Sequence, residues 1–361
     1  MEASERTAES RSDRWLSSRP RSLTSIERSV VLTVLYSDLF DYPLTEAELA
    51  GYVPLVRVDR TALRAAIASL SPHLLSRCGD HVTLRGREDL VALRQQRAAG
   101  ACRQWPLAER FARRLAAVPF VRLVAVCGSL AVDNVAEDGD VDYFCVTAPR
   151  RLWLAQVVTM AARRLARLWG LRACPNYLLT SAALAVEPRS LYSAREIAQT
   201  VPIWGEEVYD AFLAENRWIR ELLPNLDLGD RRRHLGPVRK PRLTQWIERL
   251  LGGRLGDLLD AAMHRILLAY YSLRLRRRGW RREDFGRFYR QDRQLVVAGG
   301  FAGAIERRLR ERAAALLGSD ALDAELSLLF PRPAGADASG SVAPDPHFAR
   351  LFRERYGAGG G

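Results

Sequence analysis

Gly128-Ser129 and Asp140-Val141-Asp142 are the residues of this chain best equipped for chemistry. An apolar run, Val121-Arg122-Leu123-Val124-Ala125-Val126-Cys127, ends in the Gly-Ser turn. Ten residues later a second run, Asp140 to Thr147, begins with the two carboxylates. Alternate residues of a strand share a face, so Asp140 and Asp142 are expected to point the same way, with Val141 behind them. Two carboxylates on one face beside a turn of small residues suit a divalent cation carrying a triphosphate. An ordinary acidic loop before a strand would leave the buried character of both flanking runs unexplained.

The pattern over residues 121–147 resembles the nucleotidyltransferase superfamily of the DNA polymerase beta type. Its signature is a Gly-Gly or Gly-Ser turn, a spacer of this order, and Asp-x-Asp or Asp-x-Glu within a strand. The resemblance implies that Gly128 lets the backbone approach the phosphates and that Ser129 hydrogen-bonds them. It implies Asp140 and Asp142 as catalytic ligands of Mg²⁺ or Mn²⁺, with an NTP, ATP among them, as substrate. It also implies a third carboxylate on a later strand, as metal ligand or as base for an acceptor hydroxyl. Here the chain departs from the pattern, because the next expected strand offers Asn176. Glu187 is the first candidate for the third acid, and Glu206 and Glu207, just after Trp204-Gly205, are the second. Asp133, Glu137 and Asp138 lie in the loop between turn and carboxylates and are read as solvated. Without a third acid, the chain is expected to bind nucleotide without rapid turnover.

Other chemistries find little support. The histidines at 73, 81, 234, 264 and 347 are dispersed, and the cysteines at 78, 102, 127, 145 and 174 form no Cys-x-x-Cys pair. A zinc site is therefore not expected, and Cys127 and Cys145 read as small buried hydrophobes. There is no Gly-x-Ser-x-Gly elbow and no Walker-type loop. The cysteine usage, an N-terminus without an apolar core and the lack of a long apolar run point to a cytoplasmic protein without a membrane span.

The elements around the motif suggest its setting. A Thr24 or Ser25 cap with Glu27 starts a helix to Tyr36, Thr45 caps a second, and 59–70 forms a third with Leu63, Ala66, Ile67 and Leu70 on one face. Residues 74–84 then read as a hairpin about Gly79-Asp80. Three helices and a hairpin are the winged-helix arrangement. Residues 88–117 read as helical with a break near Trp105-Pro106, and 150–168 as an amphipathic helix packed on a sheet. That helix has Leu152, Leu154, Val157, Val158, Ala161, Leu165 and Leu168 on its apolar side and Arg151, Arg163, Arg164 and Arg167 opposite. Residues 175–180 and 184–187 read as strands, 192–200 and 205–222 as helices, and 243–318 as helical throughout. The fold class expected is α/β, an α+β mixed-sheet nucleotidyltransferase core with an N-terminal winged-helix-like segment and a helical C-terminal region. The divisions fall at 1–23 (disordered tail), 24–105 (winged-helix-like), 106–225 (core), 226–331 (helical) and 332–361 (flexible tail).

The formal net charge is +13, yet Lys240 is the single lysine, so the excess is arginine and a coding bias explains part of it. Two segments are candidates for nucleic acid. One is the winged-helix-like segment with Arg57, Arg60, Arg64, Arg77 and Arg85. The other is the arginine-rich stretch 274–293, with Trp280, Phe285, Phe288 and Tyr289 interleaved, which also reads as a helix end with its aromatics in the core. The leading expectation is transfer of NMP from an NTP to a hydroxyl acceptor (small molecule, protein or RNA end) with release of pyrophosphate. The alternatives are a DNA-binding regulator with a degenerate nucleotide-sensing domain, and a regulator that nucleotidylates a partner.

Overall fold

The computed structural model describes residues 23–71, 73–136, 139–229, 233, 238–276, 290–295, 298–318 and 322–331. Helix α1 (Ser25–Asp38) starts at a full capping box: Glu27 N–H donates to the Thr24 hydroxyl, and Thr24 N–H donates to the Glu27 carboxylate. Its run Val30–Leu35 is buried on every side, as a helix apolar all round must be. Strand β1 (Leu44–Thr45) leads into α2 (Glu46–Tyr52), where Thr45 and Glu48 form a second capping box. Asp59 caps α3 (Arg60–Leu70), whose Leu63, Ala66, Ile67 and Leu70 are buried as the spacing requires. The hairpin β2 (Leu75–Cys78) and β3 (His81–Leu84) follows. β1 joins β3, giving an antiparallel sheet of order β1-β3-β2.

Helix α4 (Leu90–Ala116) runs through Pro106 without the expected break. Proline removes one hydrogen bond from a helix interior. Trp105, beside it, is buried and donates its indole N–H to Asp133 at 2.8 Å. Arg233 covers the same ring, 3.9 Å from its centroid.

The second sheet has five strands, in spatial order β7 (Val201–Trp204), β4 (Val121–Cys127), β5 (Val141–Thr147), β6 (Ala173–Thr180) and β8 (Arg293–Leu295). β4 (Val121–Cys127), the short helix α5 (Gly128–Ala131) and β5 (Val141–Thr147) come first along the chain. Helix α6 (Leu152–Ala166), extended by a 3-10 turn over Arg167–Trp169, connects to β6 (Ala173–Thr180). β5 pairs antiparallel with β4 and parallel with β6, so the sheet is mixed. Residues 184–187 are not a strand. The edge beside β4 is instead β7 (Val201–Trp204), which follows α7 (Leu191–Gln199). Pro202 fits there because an edge strand tolerates a missing donor. Helices α8 (Glu206–Glu215) and α9 (Ile219–Leu222) come next, then α10 (Arg242–Leu250) and α11 (Arg254–Arg276). The C-terminal region is not helical throughout, because β8 (Arg293–Leu295) adds the other edge, antiparallel to β6. α12 (Ala298–Leu317) and α13 (Asp323–Leu329) complete the described chain.

Each face of this sheet has its own apolar layer. Val124, Val126, Tyr143, Cys145 and Leu178 meet α4, α6 and α11. Leu123, Ala125, Phe144, Val146 and Leu179 belong to a layer continuous with the N-terminal helices, α7, α8 and α12. Helix α12 returns to α1 through Ile305, Leu309 and Ala313 and through an ion pair of Arg312 with Asp38, and α13 through Glu325 and Arg28 at 2.5 Å. In α6, two expectations are reversed. Arg151 is buried, held by Asp257 and by the carbonyls of Leu251 and Gly253, whereas Val157, Val158, Leu165 and Leu168 are exposed.

Candidate functional site

Gly128 has φ +67°, a conformation that disfavours a side chain. A Cβ there would lie 2.6 Å from Asp142 Oδ2. The turn and the second carboxylate are thus in direct contact, and glycine is required twice, for its backbone angle and for space. Ser129 follows at half-exposed depth, while Asp142 is buried.

The register shows what surrounds the carboxylates. Asp142 stands opposite Cys127 on β4 and beside Cys174 on β6. Directly paired residues share a face, so these three side chains form a row across the sheet. One step toward the strand start, Arg172 Nε lies 2.8 Å from Asp140 Oδ1. The two are close enough for an ion pair but off the line of a hydrogen bond, and that buried oxygen accepts none. One step the other way, Phe144 and Tyr177 pack edge to face with centroids 5.1 Å apart. The Tyr177 hydroxyl is buried without a hydrogen-bond partner. Burial raises its pKa. Arg293 opposes the rise, and Cys127 and Glu196 add to it. Arg293, on β8, pairs with Leu179, two residues along β6 from Tyr177, and so lies on the same face.

The other expected acids go elsewhere. Glu187 is 70% exposed, follows the Thr180 end of β6 and reaches Arg293 at 4.0 Å. Arg293 pairs with Leu179, which is beside Val146, about 13 Å along the strands from Asp142. Glu206 and Glu207 open α8 beyond Trp204, which pairs with Val124, so they follow the end of β4 away from Gly128. Asp133 is exposed, as expected, and also accepts the Trp105 indole N–H, and Glu137 and Asp138 lie outside the described residues. So does the side chain of Asn176, at the irregularity where β6 shifts register between Pro175 and Tyr177. The structure brings Gly128, Asp142 and, at the strand start, Asp140 together, and puts Cys174 on the neighbouring strand where an acid was sought. Cys174, Tyr177 and Arg172 carried no motif in the sequence; strand pairing reveals the first two and the ion pair with Asp140 the third.

The donors fit a hard cation in part. Two carboxylates and a cradle without a side chain match Mg²⁺, which keeps waters and substrate phosphates among its ligands. Among the described residues no group of three His, Cys, Asp or Glu side chains is placed to hold a metal.

The basic residues proposed for nucleic acid are partly engaged. Arg60, Arg64 and Arg77 converge on Glu46 at 3.5, 2.6 and 3.1 Å. Arg233 pairs with Glu109 at 3.0 Å, whereas Arg231, Arg232 and residues 277–289, including Trp280, Phe285, Phe288 and Tyr289, lie outside the described residues, as do 1–22 and 332–361. Lys240 sits with Arg122 around Glu248, which also accepts Phe120 N–H. No helix among the described residues is long and apolar enough to cross a membrane. No protein-family model, curated protein or solved structure matches the chain.

Proposed function

We propose that the chain is a Mg²⁺-dependent nucleotidyltransferase whose core is the five-stranded sheet and whose N-terminal module is of the winged-helix class. The observation that carries this reading is the contact of Gly128 with Asp142, one residue from Val141 and two from Asp140. On this reading an acceptor hydroxyl attacks the α-phosphorus of an NTP, the bond to the bridging oxygen breaks, and pyrophosphate leaves. The bound metal neutralises the phosphates. Gly128 admits the triphosphate to the backbone, Ser129 donates to it, and Asp140 and Asp142 ligate the metal. On this reading Arg172, paired with Asp140 in the free protein, exchanges that carboxylate for phosphate charge. Purified protein with Mg²⁺, an NTP and a panel of hydroxyl acceptors is expected to release pyrophosphate. Absence of release across the panel, with Mn²⁺ as well, contradicts the reading.

Cys174 beside Asp142 favours a second reading, a nucleotide sensor that binds without turnover. It lacks an acid on the strand where the resemblance implies one, and Glu187 does not replace it. Metal-dependent NTP binding with no pyrophosphate release across the acceptor panel is the result this second reading predicts. The DNA-binding form of this alternative requires a steep fall of DNA affinity with salt.

A further inference from the structure

Helix α11 is apolar on two sides. Met263, Leu267 and Tyr271 pack against the sheet layer. Leu255, Leu258, Leu259, Ile266, Tyr270 and Leu273 are exposed, Leu258 at 70%. At the helical repeat these six fall within an arc of about 120° and extend over about 27 Å. Helix α10 repeats the arrangement on a smaller scale. Its Thr244 turns inward to donate to the Ala117 carbonyl, while Leu243, Trp246 and Leu250 face out, Trp246 at 58% exposure.

The charges on these two helices are sorted by sign. Every acid turns into the protein. Glu248 is held by Lys240 and Arg122, Asp257 by Arg150 and Arg151, and Asp260 by the N–H groups of Trp153 and Leu154. Arg242, Arg249, Arg254 and Arg265 are exposed, and none has an ion pair among the described residues. The outward face therefore offers leucine, isoleucine, tryptophan and tyrosine with arginine as its charge. A second copy docked symmetrically would set arginine against arginine. A surface that is apolar beneath and anionic on top satisfies both components, and that is the chemistry of a lipid bilayer rich in acidic headgroups.

We propose that α10 and α11 dock this protein onto an anionic phospholipid surface, with the leucines and Trp246 in the headgroup boundary and the arginines on phosphates. This is association with one leaflet, and it does not depend on the nucleotidyl-transfer reading. The test is flotation of the full chain with vesicles of equimolar phosphatidylglycerol and phosphatidylcholine, beside vesicles of phosphatidylcholine alone. Flotation is expected with the anionic vesicles and to weaken as salt rises. Trp246→Glu with Leu258→Glu is expected to lower partitioning roughly tenfold or more. Arg249→Glu with Arg265→Glu, which alters only exposed charge, is the second variant and is expected to act in the same direction. Far-UV circular dichroism of both should match the parent. No flotation with anionic vesicles, or equal flotation of parent and folded variants, overturns the proposal. So does a dimer by light scattering that the Trp246/Leu258 variant dissociates while flotation is absent, because the occupant is then a second copy.

Discussion

At Gly128 a single methyl group separates two outcomes. Alanine would hold a strained backbone angle, costing about 1 kcal/mol, and would press Cβ into Asp142 Oδ2. We expect Gly128→Ala to fold, to displace Asp142 and to weaken Mg²⁺-dependent NTP binding by at least about tenfold, or roughly 1.4 kcal/mol, measured by calorimetric titration. Unchanged affinity would mean that the turn does not approach the nucleotide. A second residue-scale consequence lies away from the site. Burial alone would raise the Glu48 carboxyl, but two hydrogen bonds and the charge of Arg94, with the Tyr42 hydroxyl, outweigh it and hold the group at about 2. A depressed pKa stabilises the fold above the unfolded value of 4.5 and loses that contribution as pH falls through the folded one. The N-terminal module should therefore lose on the order of 2–3 kcal/mol between about pH 5 and pH 2. Glu48→Gln should remove that part of the acid sensitivity, read as the slope of stability against pH.

At the scale of elements, legibility followed the source of the signal. The caps at Thr24 and Thr45 are local side chain-to-backbone bonds and the third helix shows its apolar spacing, so the first three helices could be read from sequence, and the hairpin at 75–84 followed from its turn. The Gly-Ser and Asp-x-Asp segments were legible because each marks the end of an apolar run. Strands made by pairing were not. β1 has two residues, β7 contains Pro202, and β8 carries Arg293 and Gln294; each exists because a neighbouring strand supplies its ladder. Cys174 joined the site through strand register between distant segments, which composition does not encode. The two-sided nature of α11 was similarly hidden, since packing alone assigns its apolar residues to different faces. Asp260 ties that helix to α6 by accepting both Trp153 and Leu154 N–H at 2.9 Å. Burial raises its pKa, and those two donors oppose the rise. We expect Asp260→Ala to cost about 1–3 kcal/mol, because a buried and a half-buried donor at a helix start lose their acceptor. Denaturant titration would measure it, and a loss below about 0.5 kcal/mol would contradict this role.

For the whole molecule, the decisive feature is that one apolar layer joins the N-terminal module, one face of the sheet, and α12 and α13. The divisions expected near residues 105 and 226 do not separate these cores: α4 runs through the first, and α12 returns across the second to α1. Asn225 strengthens the union by binding Val58 N–H and the carbonyls of Val53 and Val56. Leu309→Ala, at a fully buried contact between the ends of the chain, should destabilise the protein by about 2–5 kcal/mol. The N-terminal module and the sheet should still melt together in calorimetry; separate transitions would show that the shared layer does not couple them.

The central claim is that Asp140 and Asp142 serve nucleotidyl transfer. Its most direct test is transfer of label from NTPs radiolabelled on the α-phosphate, in lysate and with purified protein, beside the Asp140→Asn/Asp142→Asn variant. The account predicts label on an acceptor with the parent protein and none with the variant. Label that persists in a folded variant, or its absence from the parent with every NTP and with both Mg²⁺ and Mn²⁺, would contradict it.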